Sequence, residues 1–190
     1  RIDALLGRGG MGEVYRADQL EPVRRTVALK LLHGRRLDAR HLAYFEIERQ
    51  LLAQMKHPAI AQVYDAGATP DGSPYFAMEF IEGEPLVRFC EQRRLPLRER
   101  LELFIRVCEG VQHAHQKGVI HRDLKPGNIL VSEVDGRPLP KIIDFGIGIA
   151  TAATRSLAAG QAADGRERAG TPDYMSPEQA GQSSVDVDTR

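Results

Sequence analysis

The feature that most constrains the fold of this chain is a polar loop followed, at a fixed distance, by a second acid. The loop reads His121-Arg122-Asp123-Leu124-Lys125-Pro126-Gly127-Asn128, and Asp144-Phe145-Gly146 begins sixteen residues after Asn128. A fold that brings these groups together supplies a carboxylate base, a cation and oxygen ligands for a hard metal ion. Phosphoryl transfer from a nucleoside triphosphate requires these groups. The spacing therefore predicts a magnesium and nucleotide site where a strand ends before Asp144.

The composition fits a globular domain and argues against several other classes. The chain has 190 residues, of which 42% are hydrophobic and 27% charged, so one domain or slightly more is expected. Its 26 basic and 26 acidic side chains cancel, so no overall charge draws it to nucleic acid or to an anionic membrane. No window resembles a membrane helix, and Arg1-Ile2-Asp3 does not begin a secretory signal.

The two cysteines, Cys90 and Cys108, lack the spacing of metal ligands. Cys108 falls on the apolar stripe of a predicted helix, so a reduced packing role is expected for it. These features indicate a cytoplasmic domain, with a membrane anchor possible only outside this chain.

The first part of the chain reads as a small antiparallel sheet with one main helix. Strands are predicted over residues 2–6, 13–18, 26–32, 60–66 and 75–81. A helical pattern runs from about residue 39 to residue 56. His57-Pro58 stops it, because proline disfavours helical geometry in the residue before it.

From Pro85 onward the pattern becomes mainly helical. The longest predicted helix spans residues 96–117, with Gly118 placed to end it. Its apolar positions are Leu97, Leu101, Phe104, Cys108 and Val111. Short strands at residues 129–131 and 141–143 bracket a turn at Asp135-Gly136. Residues 151–169 lack periodicity and read as a mobile loop.

Gly7, Gly9 and Gly12 form the pattern G-x-G-x-x-G, which is weak evidence by itself. A dinucleotide site would need a helix after the pattern, whereas residues 13–18 alternate as a strand does. The glycines then join two antiparallel strands and allow backbone N–H groups to close over phosphates. Val14, just past the loop, would offer an apolar contact to a base. A plain flexible hairpin turn is the alternative interpretation.

Lys30 ends the apolar strand Val27-Ala28-Leu29-Lys30, and the following helix favours a specific role for it over that of a surface lysine. Phe45, Glu48, Leu52 and Met55 are spaced three, four and three residues apart, so Glu48 lies in an otherwise apolar stripe. Burying an unpaired carboxylate costs several kcal/mol, so a cation should meet it. Lys30 is the candidate, held by Glu48 and aimed at nucleotide phosphates.

Taken in order, these motifs resemble those of the eukaryotic-type (Hanks-type) serine/threonine protein kinases, in particular the bacterial branch. The resemblance covers nearly the whole chain and includes residues 170–178, Gly-Thr-Pro-Asp-Tyr-Met-Ser-Pro-Glu. It implies an α+β fold of two lobes. Residues 1–81 are expected to form an antiparallel β lobe with one main helix and a hinge, and residues 82–190 a mainly helical lobe with the catalytic loop and activation segment.

The family continues beyond the position that matches Arg190, so the second lobe is expected to be incomplete. The 190-residue piece alone is then expected to be poorly stable and weakly active, because the face with Leu101, Phe104 and Val111 would lack a partner.

The resemblance implies ATP and Mg²⁺ as ligands and gives each site residue a role. The catalytic set is Asp123, which orients the substrate hydroxyl, Lys125, which neutralises the γ-phosphate, and the pair Lys30 and Glu48. Asn128 and Asp144 are the expected metal ligands. The nucleotide-binding set is Gly7, Arg8, Gly9, Gly10, Gly12, Val14, Ala28, Lys30, Met78, Glu79, Ile81, Leu130 and Asp144. His121 and Phe145 are expected to join Leu52 in an apolar column.

A lysine two residues after Asp123 is the serine/threonine pattern of this family, so Ser and Thr hydroxyls of proteins are the expected acceptors. The alternatives are a nucleotide-binding pseudokinase that acts as a scaffold or allosteric partner, and an incomplete, non-functional gene product. The pseudokinase is disfavoured because Lys30, Asp123, Asn128 and Asp144 all hold the expected residue types.

Arg122, beside the expected base, resembles kinases whose activation segment is ordered by phosphorylation, since a phosphate forms charge-assisted bonds to arginine. The candidate acceptors are Thr151, Thr154, Ser156 and Thr171.

Overall fold

The first lobe is built on a five-stranded antiparallel sheet. The computed structural model describes residues 1–9, 12–32, 49–145 and 172–176. The strands are β1 (Ile2–Gly9), β2 (Gly12–Gln19), β3 (Arg25–Leu32), β4 (Val63–Ala68) and β5 (Pro74–Glu79). They lie in the order β1-β2-β3-β5-β4. The expected strands are therefore confirmed with small shifts of their ends, except that β4 begins at Val63 rather than at Ile60.

The helix before β4 ends earlier than the sequence pattern predicts. Residues 49–53 are helical and residue 54 is a turn, whereas the pattern extends to residue 56. The N–H groups of Gln54 and Met55 donate to the carbonyls of Leu51 and Leu52 at 3.2 and 3.1 Å. These bonds span three residues, so the last turn tightens and closes the helix before His57-Pro58.

The described part of the second lobe contains a short sheet and two α-helices. Its elements are β6 (Glu84–Pro85), α1 (Leu86–Gln92), α2 (Leu97–Gln116), a 3-10 turn (Pro126–Asn128), β7 (Ile129–Val134), β8 (Arg137–Ile142) and a second 3-10 turn (Pro172–Tyr174). Gly118, at φ +73°, follows α2 as predicted. Asp135 and Gly136, at φ +50° and +72°, form the tight turn between β7 and β8.

The buried side of α2 differs from the predicted apolar stripe. Leu103, Val107, Gly110 and Ala114 are buried, whereas Leu97, Leu101 and Phe104 are at least half exposed. Cys108 is exposed and Cys90 is buried, so the expected packing role of Cys108 is wrong. Small residues occupy two turns of the buried side, because they let the helix backbone approach its neighbours closely. A search for large apolar side chains misses such a face.

One hydrophobic cluster joins the two lobes. Its buried members are Leu32, Leu52, Met55, Ile60, Ala66, Phe76, Met78, Val107, Ala114, Val119, Ile129, Ile142 and Phe145. The backbone reinforces the junction, since the N–H of Ala61 donates to the carbonyl of Ile142 and the N–H of Ile142 to that of Ala59, at 2.9 and 2.8 Å. This arrangement confirms the predicted two-lobed α+β architecture. No helix within the described ranges is long and apolar enough to span a membrane.

We expect Gly110→Val to lower the free energy of unfolding by about 1–3 kcal/mol through overpacking, although valine is the better helix former. A Cβ at Gly110 would lie 3.2 Å from both the Cβ of Ala59 and the Cδ1 of Ile142. Urea denaturation of the full-length protein measures the change. The control is Glu102→Val, on the exposed side of the same helix, where the carboxylate pairs only at the surface with Arg98. Equal losses in both variants would contradict the close packing of α2.

Candidate active site

Lys30 and Asp144 bring the two lobes together at the site. The Nζ atom of Lys30, on β3, lies 3.0 Å from the Oδ1 atom of Asp144, which follows β8. Lys30 is only 6% exposed, so its ammonium group needs a nearby anion. The expected convergence of the first-lobe cation with the later acid is therefore observed. Glu48 lies outside the described residues, and its contact with Lys30 stays a prediction.

The register of the sheet places several predicted nucleotide residues on one face. Val14 is opposite Lys30 across β2 and β3, and Ala28 is opposite Met78 across β3 and β5. Opposed residues of antiparallel strands share a face, and so do residues two apart on one strand. Val14, Ala28, Lys30 and Met78 consequently line the same side of the first lobe.

The glycine pattern closes the hairpin between β1 and β2. The strand β2 follows the pattern and pairs antiparallel with β1, so the glycines join two strands as expected and no helix of a dinucleotide site follows them. Gly12 has φ +154°, and a Cβ there would collide with the carbonyl oxygen of Leu31, whereas a Cβ at Gly7 or Gly9 would meet nothing within 4 Å. Arg8 pairs with Glu13 across the hairpin at 2.6 Å. Gly10 lies outside the described residues.

The predicted catalytic loop forms a compact polar cluster. The Nζ atom of Lys125 lies 2.8 Å from the Oδ2 atom of Asp123. The amide nitrogen of Asn128 donates to the same Oδ2 atom at 3.1 Å and to the backbone carbonyl of Asp123 at 2.8 Å. The 3-10 turn at Pro126–Asn128 brings the amide back toward Asp123. These contacts hold the Asp123 carboxylate in one orientation.

His121 ties this loop to the segment that carries Asp144. The backbone N–H of Asp123 donates to its Nδ1 atom at 3.3 Å, and its Nε2 atom lies 3.0 Å from the carbonyl oxygen of Ile143. This pairing assigns the neutral ring with the proton on Nε2. Burial lowers the pKa of His121, which is 4% exposed. The ring also meets Phe145 edge-on at a centroid distance of 4.8 Å, which supports the packing role expected for both.

Asp144 is held in a backbone conformation that few non-glycine residues adopt. Its φ is +62°, in the left-handed region, where aspartate is tolerated better than most side chains. The flanking residues fix it there: Phe145 lies in the interlobe cluster, and the N–H of Ile143 donates to the carbonyl of Asn128 at 2.9 Å. Such strain persists only where the surroundings determine the geometry.

The donor set fits magnesium bound together with a phosphate chain. Within the described residues no group of three His, Cys, Asp or Glu could hold a metal ion, so an all-protein cage is absent there. The side chain of Asn128 makes its two hydrogen bonds to Asp123 through the amide nitrogen, and Asp144 contacts Lys30 through Oδ1. One oxygen of each side chain is left for a hard cation, which completes its shell with phosphate oxygens and water.

At the end of β5, Glu79 is more constrained than the sequence indicated. Met78 is buried, as expected for the back of a pocket. The N–H of Glu79 donates to the carbonyl of Gln62 at 2.8 Å, and its carboxylate lies 2.8 Å from the Nζ atom of Lys141. Leu130, on β7, lies opposite Lys141 of β8. Ile81 follows β5 and is partly buried.

Sequence reasoning missed Lys141 as a candidate site residue. Lys141 is the only charged residue in the stretch 139–143, where its neighbours are Leu139, Pro140, Ile142 and Ile143. The same signal, a lone cation at an apolar strand end, identified Lys30. Applied to β8, it would have predicted an acidic partner for Lys141.

The fold and the polar cluster define a two-lobed protein whose interlobe site combines a buried lysine with a loop of aspartate, lysine and asparagine. The chain belongs to the protein kinase family, since the model for the protein kinase domain matches residues 1–189.

Curated relatives support this membership. The chain is 40% identical over 190 residues to serine/threonine-protein kinase pkn3 of Myxococcus xanthus, covering 98% of this chain and 34% of that protein. It is 38% identical over 187 residues to the DNA damage-responsive serine/threonine-protein kinase RqkA of Deinococcus radiodurans, covering 97% and 26%. The chain thus spans about a third or less of the length of these relatives.

A solved structure supports the same fold. The kinase domain of PknI from Mycobacterium tuberculosis is 31% identical with a TM-score of 0.63, and the match covers 77% of this chain and 59% of that one.

We expect Gly12→Ala to lower the free energy of unfolding by about 1–3 kcal/mol, because its Cβ forces the Leu31 carbonyl to move and its φ is unfavourable for alanine. Gly9→Ala, at an open position of the same hairpin, should change it by less than about 0.5 kcal/mol. Chemical denaturation measures both variants. Equal stability of the two would contradict the steric assignment at Gly12.

We expect stability to fall in acid partly through His121. Its pKa in the folded protein lies below the ordinary value of 6.5, so the unfolded chain binds more protons as the pH falls. The stability that the neutral ring contributes is complete above pH 6.5 and is lost below it. His57 adds to this loss, because burial and the neighbouring His113 lower its pKa.

The test is His121→Gln, which keeps a donor for the carbonyl of Ile143 and removes the titration. The free energy of unfolding, measured at about pH 7.5 and about pH 5.5 on either side of histidine titration, should change less in the variant than in the parent. An unchanged pH dependence would contradict the burial of a neutral ring, and the residual slope reports on His57.

Proposed function

We propose that the protein is an ATP-dependent protein kinase that transfers the γ-phosphoryl group to Ser or Thr hydroxyls of protein substrates. One observation carries the proposal. Lys30 of the first lobe lies 3.0 Å from Asp144, while the residue before Asp144 is hydrogen-bonded to Asn128 of the loop that holds Asp123. A single triphosphate can therefore reach all four groups. The relatives pkn3 and RqkA are named as serine/threonine-protein kinases.

The nucleotide would lie between the lobes with its phosphates under the β1–β2 hairpin. Val14, Ala28 and Met78, on one face of the sheet, offer apolar contacts to the adenine from the first lobe, and Leu130 offers them from the second. The backbone after Met78, at Glu79 and Ile81, would hydrogen-bond the base. Gly7, Gly9, Gly10 and Gly12 carry no Cβ and would let the hairpin backbone approach the phosphates, and Arg8 would bind there as part of the same backbone.

Mg²⁺ would be held by Asn128 and Asp144 and would neutralise charge between the phosphates. Lys30 adds a fixed cation at the same place. Its present contact with Asp144 supports this role, because the ammonium group already reaches the carboxylate that would hold the metal. Glu48, as an anchor for Lys30, belongs to the same proposal.

Asp123 would accept the proton of the attacking hydroxyl, and Lys125 would balance charge on the migrating phosphoryl group. The 2.8 Å contact between them places the ammonium group of Lys125 next to the carboxylate of Asp123. Lys125 would therefore lie close to the charge that develops as the hydroxyl loses its proton. The amide of Asn128 holds the Asp123 carboxylate. Asn128 would therefore connect the general base, Asp123, with the Mg²⁺ ion. A general base must first lie within hydrogen-bonding reach of the hydroxyl whose proton it accepts, and these contacts hold the Asp123 carboxylate in one orientation.

The pseudokinase alternative is not favoured. A scaffold that only binds nucleotide has no need of Asp123 or of the Lys125 contact that holds it.

Regulation by phosphorylation remains a prediction, since Thr151, Thr154, Ser156 and Thr171 lie outside the described residues. The division into residues 1–81 and 82–190 is likewise part of the proposal.

We expect Asp123→Asn in the full-length protein to lower phosphate incorporation from radiolabelled ATP by about 10²–10⁴-fold, the usual contribution of a general base. The affinity for MgATP, measured by calorimetry, should change little, because in this scheme Asp123 contacts neither the adenine nor the metal. Phosphoamino-acid analysis of the autophosphorylated protein should show phosphoserine or phosphothreonine.

The matched control is Asp135→Asn in the β7–β8 turn, where φ is +50° and asparagine is tolerated equally well. It should retain parental activity. Equal incorporation by Asp123→Asn and the parent would remove Asp123 from the catalytic role. Nucleotide binding by the parent without any incorporation would favour the scaffold.

A further inference from the structure

A second ion pair, between Glu79 and Lys141, joins the two lobes beside the nucleotide site. The Nζ atom of Lys141 lies 2.8 Å from the Oε2 atom of Glu79, and the two side chains are only 18% and 25% exposed. This pair and the contact between Lys30 and Asp144 both connect the first lobe with the second.

The backbone around Glu79 shows that the pair belongs to a larger junction. Glu79 and Gln62 exchange two hydrogen bonds: the N–H of Glu79 donates to the carbonyl of Gln62 at 2.8 Å, and the N–H of Gln62 donates to the Glu79 carboxylate at 3.2 Å. The preceding residues, Ala59 and Ala61, are bonded to Ile142 of β8. Residues 59–62 therefore lie between the end of β5 and β8, and the ion pair closes this junction.

Glu79 and Lys141 lie at opposite ends of the proposed nucleotide site, and the two ends have different functions. Glu79 is the last residue of β5, where the backbone would bind adenine. Lys141 precedes the metal-binding Asp144 by three residues at the end of β8. A restraint between Glu79 and Lys141 is therefore a restraint between the adenine end and the metal end.

We propose that Glu79 and Lys141 are positioning residues that hold the adenine-binding backbone in register with Asp144. This inference rests on the proposed function. A ligand that contacts both ends, such as MgATP, gains affinity when the two ends are already held in place, because binding then costs less ordering. Adenosine contacts the adenine end but has no phosphates or metal to reach Asp144, so it gains much less from the restraint. A pair that only stabilises the fold would affect neither ligand selectively.

The experiment compares the affinities for MgATP and for adenosine, measured by calorimetry on the full-length protein. Lys141→Met and Glu79→Gln should each weaken MgATP binding by about 3–10-fold and change adenosine binding by less than about 2-fold. The double variant should be no weaker than either single variant, since the first substitution already removes the interaction. Lys141→Arg, which keeps the charge and the reach, should restore the affinity for MgATP.

The control is Glu133→Gln, which breaks the 3.0 Å pair between Arg93 and Glu133. Both residues belong to the second lobe, so neither ligand should be affected. An equal loss for MgATP and adenosine would assign the effect to local damage at the hinge and overturn the inference. Unchanged or tighter MgATP binding would overturn it as well. A parent protein that binds neither ligand would overturn the proposed function itself, and the positioning role with it.

Discussion

A buried ammonium group requires an anion, and in this protein that requirement connects the two lobes. Lys30 is almost fully enclosed on β3, and the anion that meets it, Asp144, belongs to the other lobe. Asp144 can meet it only because its backbone is held at a positive φ. The contacts of Ile143 with His121 and Asn128 maintain that conformation. The geometry of the proposed catalytic loop therefore follows from the same set of contacts that satisfies the lysine.

The hydrophobic cluster between the lobes gives these polar contacts a fixed frame. Phe145, next to Asp144, packs in one cluster with Leu52 of the first lobe and Ile142 of β8. A shift of the helix that carries Leu52 would therefore displace Phe145 and the neighbouring Asp144, because well-packed interiors transmit displacement. This is the physical basis for the apolar column expected from the sequence, and His121 completes it through its ring contact with Phe145.

Local signals in the sequence were sufficient for most of the described fold and for selecting Lys30 and Asp144, which the structure brings together. The strands β1 to β3, the Asp135-Gly136 turn and the glycine after α2 each have a short-range cause, so the sequence predicts them. The buried face of α2 depends instead on the small size of Gly110 and Ala114, which hydrophobicity does not reveal. The pairing of Lys141 with Glu79 joins positions 62 apart along the chain, and local spacing cannot identify such a partner.

The two interlobe ion pairs act together because they share one short stretch of chain. Lys141 and Asp144 carry opposite charges at the end of β8, and their partners, Glu79 and Lys30, lie on the neighbouring strands β5 and β3. A single contact would fix a distance and leave rotation about it; two contacts also fix the orientation. In the proposed mechanism Lys30 would contact the phosphates and Asp144 would hold the metal, so the direct contact between the two side chains would be replaced. The pair of Glu79 and Lys141 lies outside this space, so it can preserve the register of the lobes while the nucleotide is bound.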